Sequence, residues 1–230
     1  AAVRSRHPHP PALTQERPLV TQIKICGIQH VDDALVAAQA GADFVGLVFV
    51  PGRRRRLKEA DAQSIVLGLR ESAQQVPKVV GLFADQPLDE VNRIADRCAL
   101  DLAQLCGQEP PDYCAQVKVP VIKVVHIVDS QPLSEVIGIV EGLQRDGHLV
   151  TLDRKVAGLQ GGTGRSFDWK IAQEVARRGP PFLLAGGLTP DNVAGAVRTV
   201  RPWGVDVSSG VETGKAKDPR KIQAFIDAVR

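Results

Sequence analysis

The sequence predicts a single (β/α)8 barrel. The chain has 230 residues, short β-branched apolar runs alternate with stretches of helical period, and this α/β pattern repeats eight times. Several apolar runs lack polar alternation, as expected when a parallel strand is buried on both faces. An open doubly wound sheet is the alternative, but the turn after the first strand, Cys26-Gly27-Ile28-Gln29, lacks a Gly-rich dinucleotide fingerprint.

The predicted elements begin after a proline-rich lead. Residues 1–18 contain four prolines and no apolar periodicity, so we expect a linker or flexible tail there and a barrel domain over residues 19–230. Thr189 with Pro190 predicts the start of the helix after the seventh strand. The strands are predicted, in order, at Thr21 to Ile25, Phe44 to Phe49, Lys78 to Leu82, Leu102 to Leu105, Val121 to Val125, His148 to Leu152, Phe182 to Leu184 and Gly204 to Val207.

Composition narrows the classes of function. Hydrophobic residues make up 43% of the chain and charged residues 24%, which is typical of a globular domain with a sizeable core. The net charge is only +3 and the run Arg53 to Arg56 has no interleaved aromatics, so we expect no nucleic-acid partner. No apolar run approaches the roughly 18 residues of a membrane helix. The four cysteines form no CxxC pair and follow no secretory signal, which favours reduced thiols and the cytoplasm.

Two candidate catalytic residues stand where predicted strands end, which is where barrel enzymes carry their active sites. Cys26 closes the first strand and Asp153 ends the sixth. A thiolate and a carboxylic acid could therefore face each other across the mouth and act as base and acid without a metal. A buried inert thiol and a helix cap or surface ion pair are the alternatives for these two positions.

Two glycine-bearing turns on consecutive strands favour a phosphate site. Ala185-Gly186-Gly187 follows the seventh strand and Ser208-Ser209-Gly210 the eighth, a place where barrels often hold phosphate on backbone N–H groups, although tight turns alone also use glycine. Asp206 lies inside an apolar run and must find donors, either structural N–H groups or a ligand. One guanidinium of the run Arg53 to Arg56 could clamp a ligand carboxylate, with the others solvated.

The motifs, taken together and in order, resemble those of the phosphoribosylanthranilate isomerase family from about Leu19 to the C-terminus. That family is a cofactor-free (β/α)8 barrel of tryptophan biosynthesis, which isomerises its small-molecule substrate, phosphoribosylanthranilate, by an Amadori rearrangement. The resemblance rests on Lys24-Ile25-Cys26-Gly27, Gly41-Ala42-Asp43 with Gly46 and Phe49-Val50-Pro51, Gly161-Gly162-Thr163-Gly164 with Phe167-Asp168-Trp169, Ala185-Gly186-Gly187-Leu188-Thr189-Pro190-Asp191-Asn192-Val193, and Val205-Asp206-Val207-Ser208-Ser209-Gly210-Val211-Glu212.

The resemblance implies a role for each matching residue. Cys26 matches the general base and Asp153 the general acid. Arg55, four residues beyond Pro51, matches the arginine that holds the anthranilate carboxylate, and Asp206 is expected to bind substrate. The positions expected to hold the phosphate are Gly186, Gly187, Ser209 and Gly210, with Gly162 closing from the sixth loop.

The chain departs from the family at one rim position, because Gln104-Leu105-Cys106-Gly107 has a cysteine where the family usually has histidine. This departure leaves a non-catalytic, phosphosugar-binding barrel as an alternative. The related histidine-pathway isomerase is disfavoured because it has aspartate where Cys26 stands. The proline-rich lead is similar to that of members forming the last domain of a fungal-type polypeptide, which implies fusion to or association with other tryptophan-pathway enzymes.

Overall fold

Eight parallel strands close into a barrel in chain order, with β1 hydrogen-bonded to both β2 and β8. The computed structural model describes residues 20–127, 131–154, 169–178 and 181–230. Closure confirms the predicted (β/α)8 barrel and rules out the open sheet. The proposed linker over residues 1–18 lies outside the described residues, so that domain boundary stays a prediction.

The strands occupy nearly the predicted positions. β4, β7 and β8 match their predicted bounds, whereas β5 and β6 each extend two residues further, which brings His126 and Asp153 into regular strand. The barrel strands are β1 (Gln22–Cys26), β2 (Phe44–Val48), β3 (Lys78–Phe83), β4 (Leu102–Leu105), β5 (Val121–Ile127), β6 (Leu149–Arg154), β7 (Phe182–Leu184) and β8 (Gly204–Val207).

A helix follows each strand, and none of those in the described ranges is long and apolar enough to cross a membrane. Thr189 is the N-cap of α7 and Pro190 its first residue, as the sequence predicts. Between β8 and α8 the chain forms a short 3₁₀ helix (Ser209–Val211) and a ribbon of β9 (Glu212–Thr213) and β10 (Ala216–Lys217). The α-helices are α1 (Val31–Ala40), α2 (Glu59–Ser72), α3 (Leu88–Arg97), α4 (Pro111–Cys114), α5 (Leu133–Arg145), α6 (Trp169–Arg177), α7 (Pro190–Val200) and α8 (Pro219–Val229).

Successive side chains of each strand point alternately out of and into the barrel, so the apolar residues form two hydrophobic clusters. The odd-numbered residues of β5 and the even-numbered residues of β6, such as Val125 and Val150, point outward. Their apolar members belong to the larger hydrophobic cluster, which lies between the barrel and the helices. Ile122 on β5 and Leu149 on β6 belong to the smaller cluster inside the barrel. The inward face therefore continues to His126 and Asp153 at the carboxyl-terminal end.

Two aspartates fix the opposite, amino-terminal end of the barrel. Asp43 Oδ2 accepts a hydrogen bond from the Ile23 N–H at 2.8 Å, and Asp101 Oδ2 accepts one from the Val79 N–H at 2.7 Å. Each aspartate precedes a strand and binds the strand before it. These charge-assisted bonds satisfy backbone donors where the ladder ends.

We expect Asp101→Ala to lower the free energy of unfolding by about 1–3 kcal/mol, because the Val79 N–H loses its charged acceptor. Urea denaturation measures this change. Asp96→Ala is the matched control, because its side chain is exposed at the end of α3, and it should change stability by less than about 0.5 kcal/mol. Equal stability of the two variants would contradict the structural role of Asp101.

Candidate active site

The two predicted catalytic residues lie at the same end of the barrel. Cys26 is the last residue of β1 and belongs to the cluster inside the barrel. Asp153 is the next-to-last residue of β6, three strands away around the closed barrel. The structure thus places a thiol and a half-exposed carboxyl on the rim that barrel enzymes use for catalysis.

A buried ion pair lies directly beneath Cys26. Lys24 has no solvent exposure, and its Nζ is 2.8 Å from Asp206 Oδ2, with the two residues paired in the β1–β8 register. Burial alone would lower the pKa of Lys24, but the Asp206 carboxylate and the Cys26 sulfur more than offset it, and this pKa lies above its ordinary value. Lys24 is therefore a permanent cation inside the barrel.

The Cys26 thiol is subject to opposing electrostatic effects. The pKa of Cys26 lies above the ordinary value of a thiol, because burial has the largest effect and the Asp206 carboxylate adds to it. The Lys24 and Lys217 ammonium groups act in the opposite direction and lower it. Gly46 on the adjacent strand leaves room for the sulfur, because a Cβ there would lie 2.9 Å from Cys26 Sγ.

Two further polar side chains share this interior level. Gln104 and Thr151 are buried at inward positions, each two residues before a rim residue. Within the described part of the chain, Gln104 Oε1, Thr151 Oγ1 and Asp206 Oδ1 are buried and have no hydrogen-bond partner. Unpaired buried polar atoms lower stability, so their presence beneath a reactive rim favours a binding role over a purely structural one. Asp206 also has a structural role, since its other oxygen binds Lys24.

Arg55 lies beside Cys26 at the mouth. It is the half-buried member of the arginine run, and a Cβ on Gly27 would come within 2.4 Å of its Cδ. Its guanidinium forms a bidentate ion pair with Glu212, with Nε 2.6 Å from Oε1 and a terminal nitrogen 2.9 Å from Oε2. Arg54 contacts the same carboxylate at 2.7 Å. The predicted carboxylate clamp is therefore engaged with a carboxylate of the chain itself.

The sequence interpretation missed Glu212 as the partner of these cations. Lys217 Nζ also lies 3.2 Å from Glu212 Oε1 and donates to the Ser208 carbonyl at 2.8 Å. Burial opposes ionisation of Glu212, but the bond from Arg55 and the charge of Lys217 lower its pKa to about 2. A cleft of about 240 Å³ opens between the loop after β1 and this carboxylate. The sequence shows Glu212 only as an acidic residue soon after β8. Its partner Arg55 is 157 positions away, so the sequence alone does not reveal the pairing.

The two predicted phosphate loops lie in contact with each other. Gly186 and Gly187 adopt positive φ angles of 93° and 71°, and a Cβ on Gly210 would meet the Leu188 carbonyl oxygen at 1.9 Å. After β8, Ser209 begins a three-residue 3₁₀ helix. Gly162, together with the rest of the predicted sixth loop, lies outside the described residues.

The rim between β4 and β6 carries an imidazole that the sequence analysis did not select. His126 Nδ1 lies 4.0 Å from Asp153 Oδ2, and His126 Nε2 lies 3.1 Å from the carbonyl oxygen of Cys106. Burial raises the pKa of the Cys106 thiol to about 12, so this thiol is neutral near pH 7. The signal for His126 was weak because β5 was predicted to end at Val125.

Comparison with known proteins identifies the family to which the chain is similar. The family model for N-(5′-phosphoribosyl)anthranilate (PRA) isomerase matches residues 23–228. Relatives named N-(5′-phosphoribosyl)anthranilate isomerase include one from Dehalococcoides mccartyi, 43% identical over 210 residues (90% of this chain, 94% of the relative). Another from Roseiflexus castenholzii is 45% identical over 213 residues (90% and 97%).

Solved structures extend the match to the fold. Phosphoribosyl anthranilate isomerase from Thermotoga maritima superposes with a TM-score of 0.81 at 33% identity, covering 91% of this chain and 98% of that one. A phosphoribosyl anthranilate isomerase solved in complex with reduced 1-(o-carboxyphenylamino)-1-deoxyribulose 5-phosphate gives a TM-score of 0.77 at 31% identity, with coverage of 91% and 98%. The chain therefore belongs to the N-(5′-phosphoribosyl)anthranilate isomerase family.

Proposed function

We propose that this barrel converts N-(5-phosphoribosyl)anthranilate into 1-(2-carboxyphenylamino)-1-deoxyribulose 5-phosphate, an Amadori rearrangement of tryptophan biosynthesis, with Cys26 as base and Asp153 as acid. The observation that carries the assignment of roles is that the Cys26 thiol lies two residues beyond the buried Lys24 ammonium on β1, on the same rim as the half-exposed Asp153 carboxyl. The family member solved with a reduced form of this product supports the substrate class. Acid–base chemistry of this kind requires no cofactor.

The first step is ring opening by Asp153. The protonated carboxyl gives its proton to the furanose oxygen while the bond from that oxygen to C1 breaks. The lone pair of the anthranilate nitrogen forms the C1=N bond of a cationic Schiff base, and Asp153 is left as a carboxylate. Its position at the end of β6, with a side chain 38% exposed, lets it reach a substrate seated over the mouth.

The second step is proton abstraction by Cys26. The thiolate takes the proton from C2, the electrons of that C–H bond form the C1=C2 bond, and the π electrons of C1=N return to nitrogen, which gives a neutral enolamine. The enolamine becomes the ketone when its C2 hydroxyl loses a proton and C1 gains one. The Lys24 and Lys217 cations favour the thiolate that this step needs, because they partly offset the burial that raises the pKa of Cys26. Turnover leaves Cys26 protonated and Asp153 ionised, so one proton returns to the acid before the next cycle.

The remaining site residues bind and orient the substrate in this proposal. Arg55 has a planar guanidinium whose geometry suits a carboxylate, and binding of the anthranilate carboxyl would use its remaining donors or replace Glu212. Asp206 Oδ1 faces the interior level beneath the rim and is an acceptor for a sugar hydroxyl. The backbone of the loops after β7 and β8 holds the phosphate at Gly186, Gly187, Ser209 and Gly210, and Gly162 is assigned to the same role from the sequence alone.

We place the reaction in the cytoplasm. All four cysteines, Cys26 among them, are free thiols in the structure, and a thiolate base persists where thiols stay reduced. Association with other tryptophan-pathway enzymes, which the resemblance implies, is compatible with this assignment because the catalytic mouth occupies one end of the barrel.

We expect Cys26→Ala and Asp153→Asn each to lower kcat by at least about two to four orders of magnitude, because each removes a proton-transfer group from the reaction. The assay follows the loss of anthranilate-type fluorescence from freshly prepared substrate. Circular dichroism of both variants should match the unsubstituted protein. Near-normal turnover in either variant would refute its catalytic role, and absence of turnover in the unsubstituted protein would favour a binding-only barrel.

Lys24 should set the ionisation of the base. Lys24→Met removes the adjacent cation, so the pKa of Cys26 should rise, whereas Asp206→Asn removes an adjacent anion, so it should fall. The thiolate absorbance in the ultraviolet, titrated against pH and corrected with Cys26→Ala, measures both changes. Opposite shifts distinguish electrostatics from general loosening of the barrel, and shifts of the same sign would contradict this explanation.

Arg55→Ala should raise KM by at least about tenfold with a smaller change in kcat, because a bidentate carboxylate contact is lost. Arg56→Ala is the matched control, since Arg56 is exposed and lies in the same run. Initial rates over a range of substrate concentrations give both constants. An unchanged KM in Arg55→Ala together with a raised KM in Arg56→Ala would move the carboxylate site to the neighbouring arginine.

A further inference from the structure

We propose that His126 is a positioning residue for Asp153, and that the two side chains share the proton that opens the sugar ring. This inference rests on the proposed function and adds a residue to it. His126 is the inward-facing residue near the end of β5, and Asp153 is its partner in the β5–β6 register. The two side chains are exposed to nearly equal extents, 37% and 38%, so both reach the mouth.

The contacts of the imidazole fix which nitrogen carries its hydrogen. His126 Nε2 is 3.1 Å from the Cys106 carbonyl oxygen. A carbonyl oxygen only accepts hydrogen bonds, so Nε2 must be the protonated nitrogen in the neutral ring. Nδ1 then presents its lone pair toward Asp153 Oδ2 at 4.0 Å. Contacts of this kind commonly tighten when substrate binds.

Once substrate binding brings Nδ1 and Oδ2 within hydrogen-bond distance, one proton can lie between them. It resides either on the carboxyl, which then donates to a neutral imidazole, or on Nδ1, which then pairs with a carboxylate. An isolated aspartic acid titrates near pH 3.9 and an isolated imidazole near pH 6.5, about three pH units apart. An isolated carboxyl is therefore ionised near neutrality, and a neighbouring group that can hold the proton in its place, as an imidazole can, keeps a proton donor beside it.

The proton balance of the reaction agrees with this arrangement. Asp153 passes the shared proton to the furanose oxygen as the bond from that oxygen to C1 breaks, leaving a carboxylate and a neutral imidazole. Cys26 later takes the C2 proton and releases it to solvent. The pair of Asp153 and His126 takes up one proton from solvent, so that enzyme and solvent end each cycle unchanged.

Few other titratable groups surround this pair in the described part of the chain. On the β4 side stands the Cys106 thiol, which burial keeps neutral near pH 7. On the β6 side stands Asp153 itself. The ion pair between Lys123 and Glu109, with Nζ 2.5 Å from Oε2, lies on the opposite face of β5. The charges of Lys123 and Glu109 therefore face away from the proton proposed to lie between Asp153 and His126.

His126→Gln tests the proposal. Glutamine can still donate to the Cys106 carbonyl from near the position of Nε2, but it has no atom that titrates near neutrality at the place of Nδ1. We expect kcat/KM near pH 7 to fall by about tenfold or more, the decline on the basic side of the pH profile to begin at lower pH, and KM to change little. His148→Gln is the matched control, because His148 stands before β6 at the opposite end of the barrel, and it should retain the unsubstituted profile.

A double substitution separates coupling from an independent effect. On an Asp153→Asn background, His126→Gln should cause no further loss, because His126 acts only through Asp153. An additive loss, an unshifted pH profile in the single variant, or a rise in KM alone would each overturn the proposal. Activity surviving in Asp153→Asn itself would instead refute the proposed acid, so the two failures are distinguishable. His126→Asn repeats the test should the glutamine variant fold poorly.

Discussion

The active end of the barrel depends on one ion pair buried between its first and last strands. Lys24 and Asp206 are partners in the register that closes the sheet, and neither charge has appreciable access to water. Removing one partner of such a pair typically costs about 3–5 kcal/mol, because the other charge stays buried and uncompensated. Cys26 is two residues beyond Lys24 on the same inward face of β1. The ion pair that joins the first strand to the last therefore also places a cation near the thiol.

The side chains inside the barrel change from apolar to polar along the barrel axis, toward the carboxyl-terminal ends of the strands. Deep positions such as Ile122 and Leu149 are apolar. The next level holds the ion pair together with Gln104 and Thr151, and it includes three polar atoms with no partner among the described residues. A core optimised for stability alone would fill this level with apolar side chains. Stability is reduced here in favour of donors and acceptors placed just below the reacting groups.

The strand pattern and the rim positions could be predicted from the sequence, whereas the pairing of charges could not. Cys26 and Asp153 are recognisable because each follows a short apolar run, and that pattern is local. The partners of Lys24 and Arg55 are 182 and 157 positions away, and their proximity follows from barrel register, which one sequence does not reveal. Asp206 could be recognised only as a carboxylate in need of donors. His126 was overlooked because the alternation of β5 runs two residues beyond its apolar core.

The cysteine at position 106 need not indicate a degenerate barrel. Inward-facing rim residues on neighbouring strands converge on the same space, so an imidazole can reach the acid from β5 as readily as from β4. His126 contacts the Cys106 backbone on one side and faces Asp153 on the other. Its ring therefore spans the gap between the strand that carries the thiol and the strand that carries the acid. Under the proposed pairing, Asp153 needs a neighbouring imidazole, and either β4 or β5 can supply it.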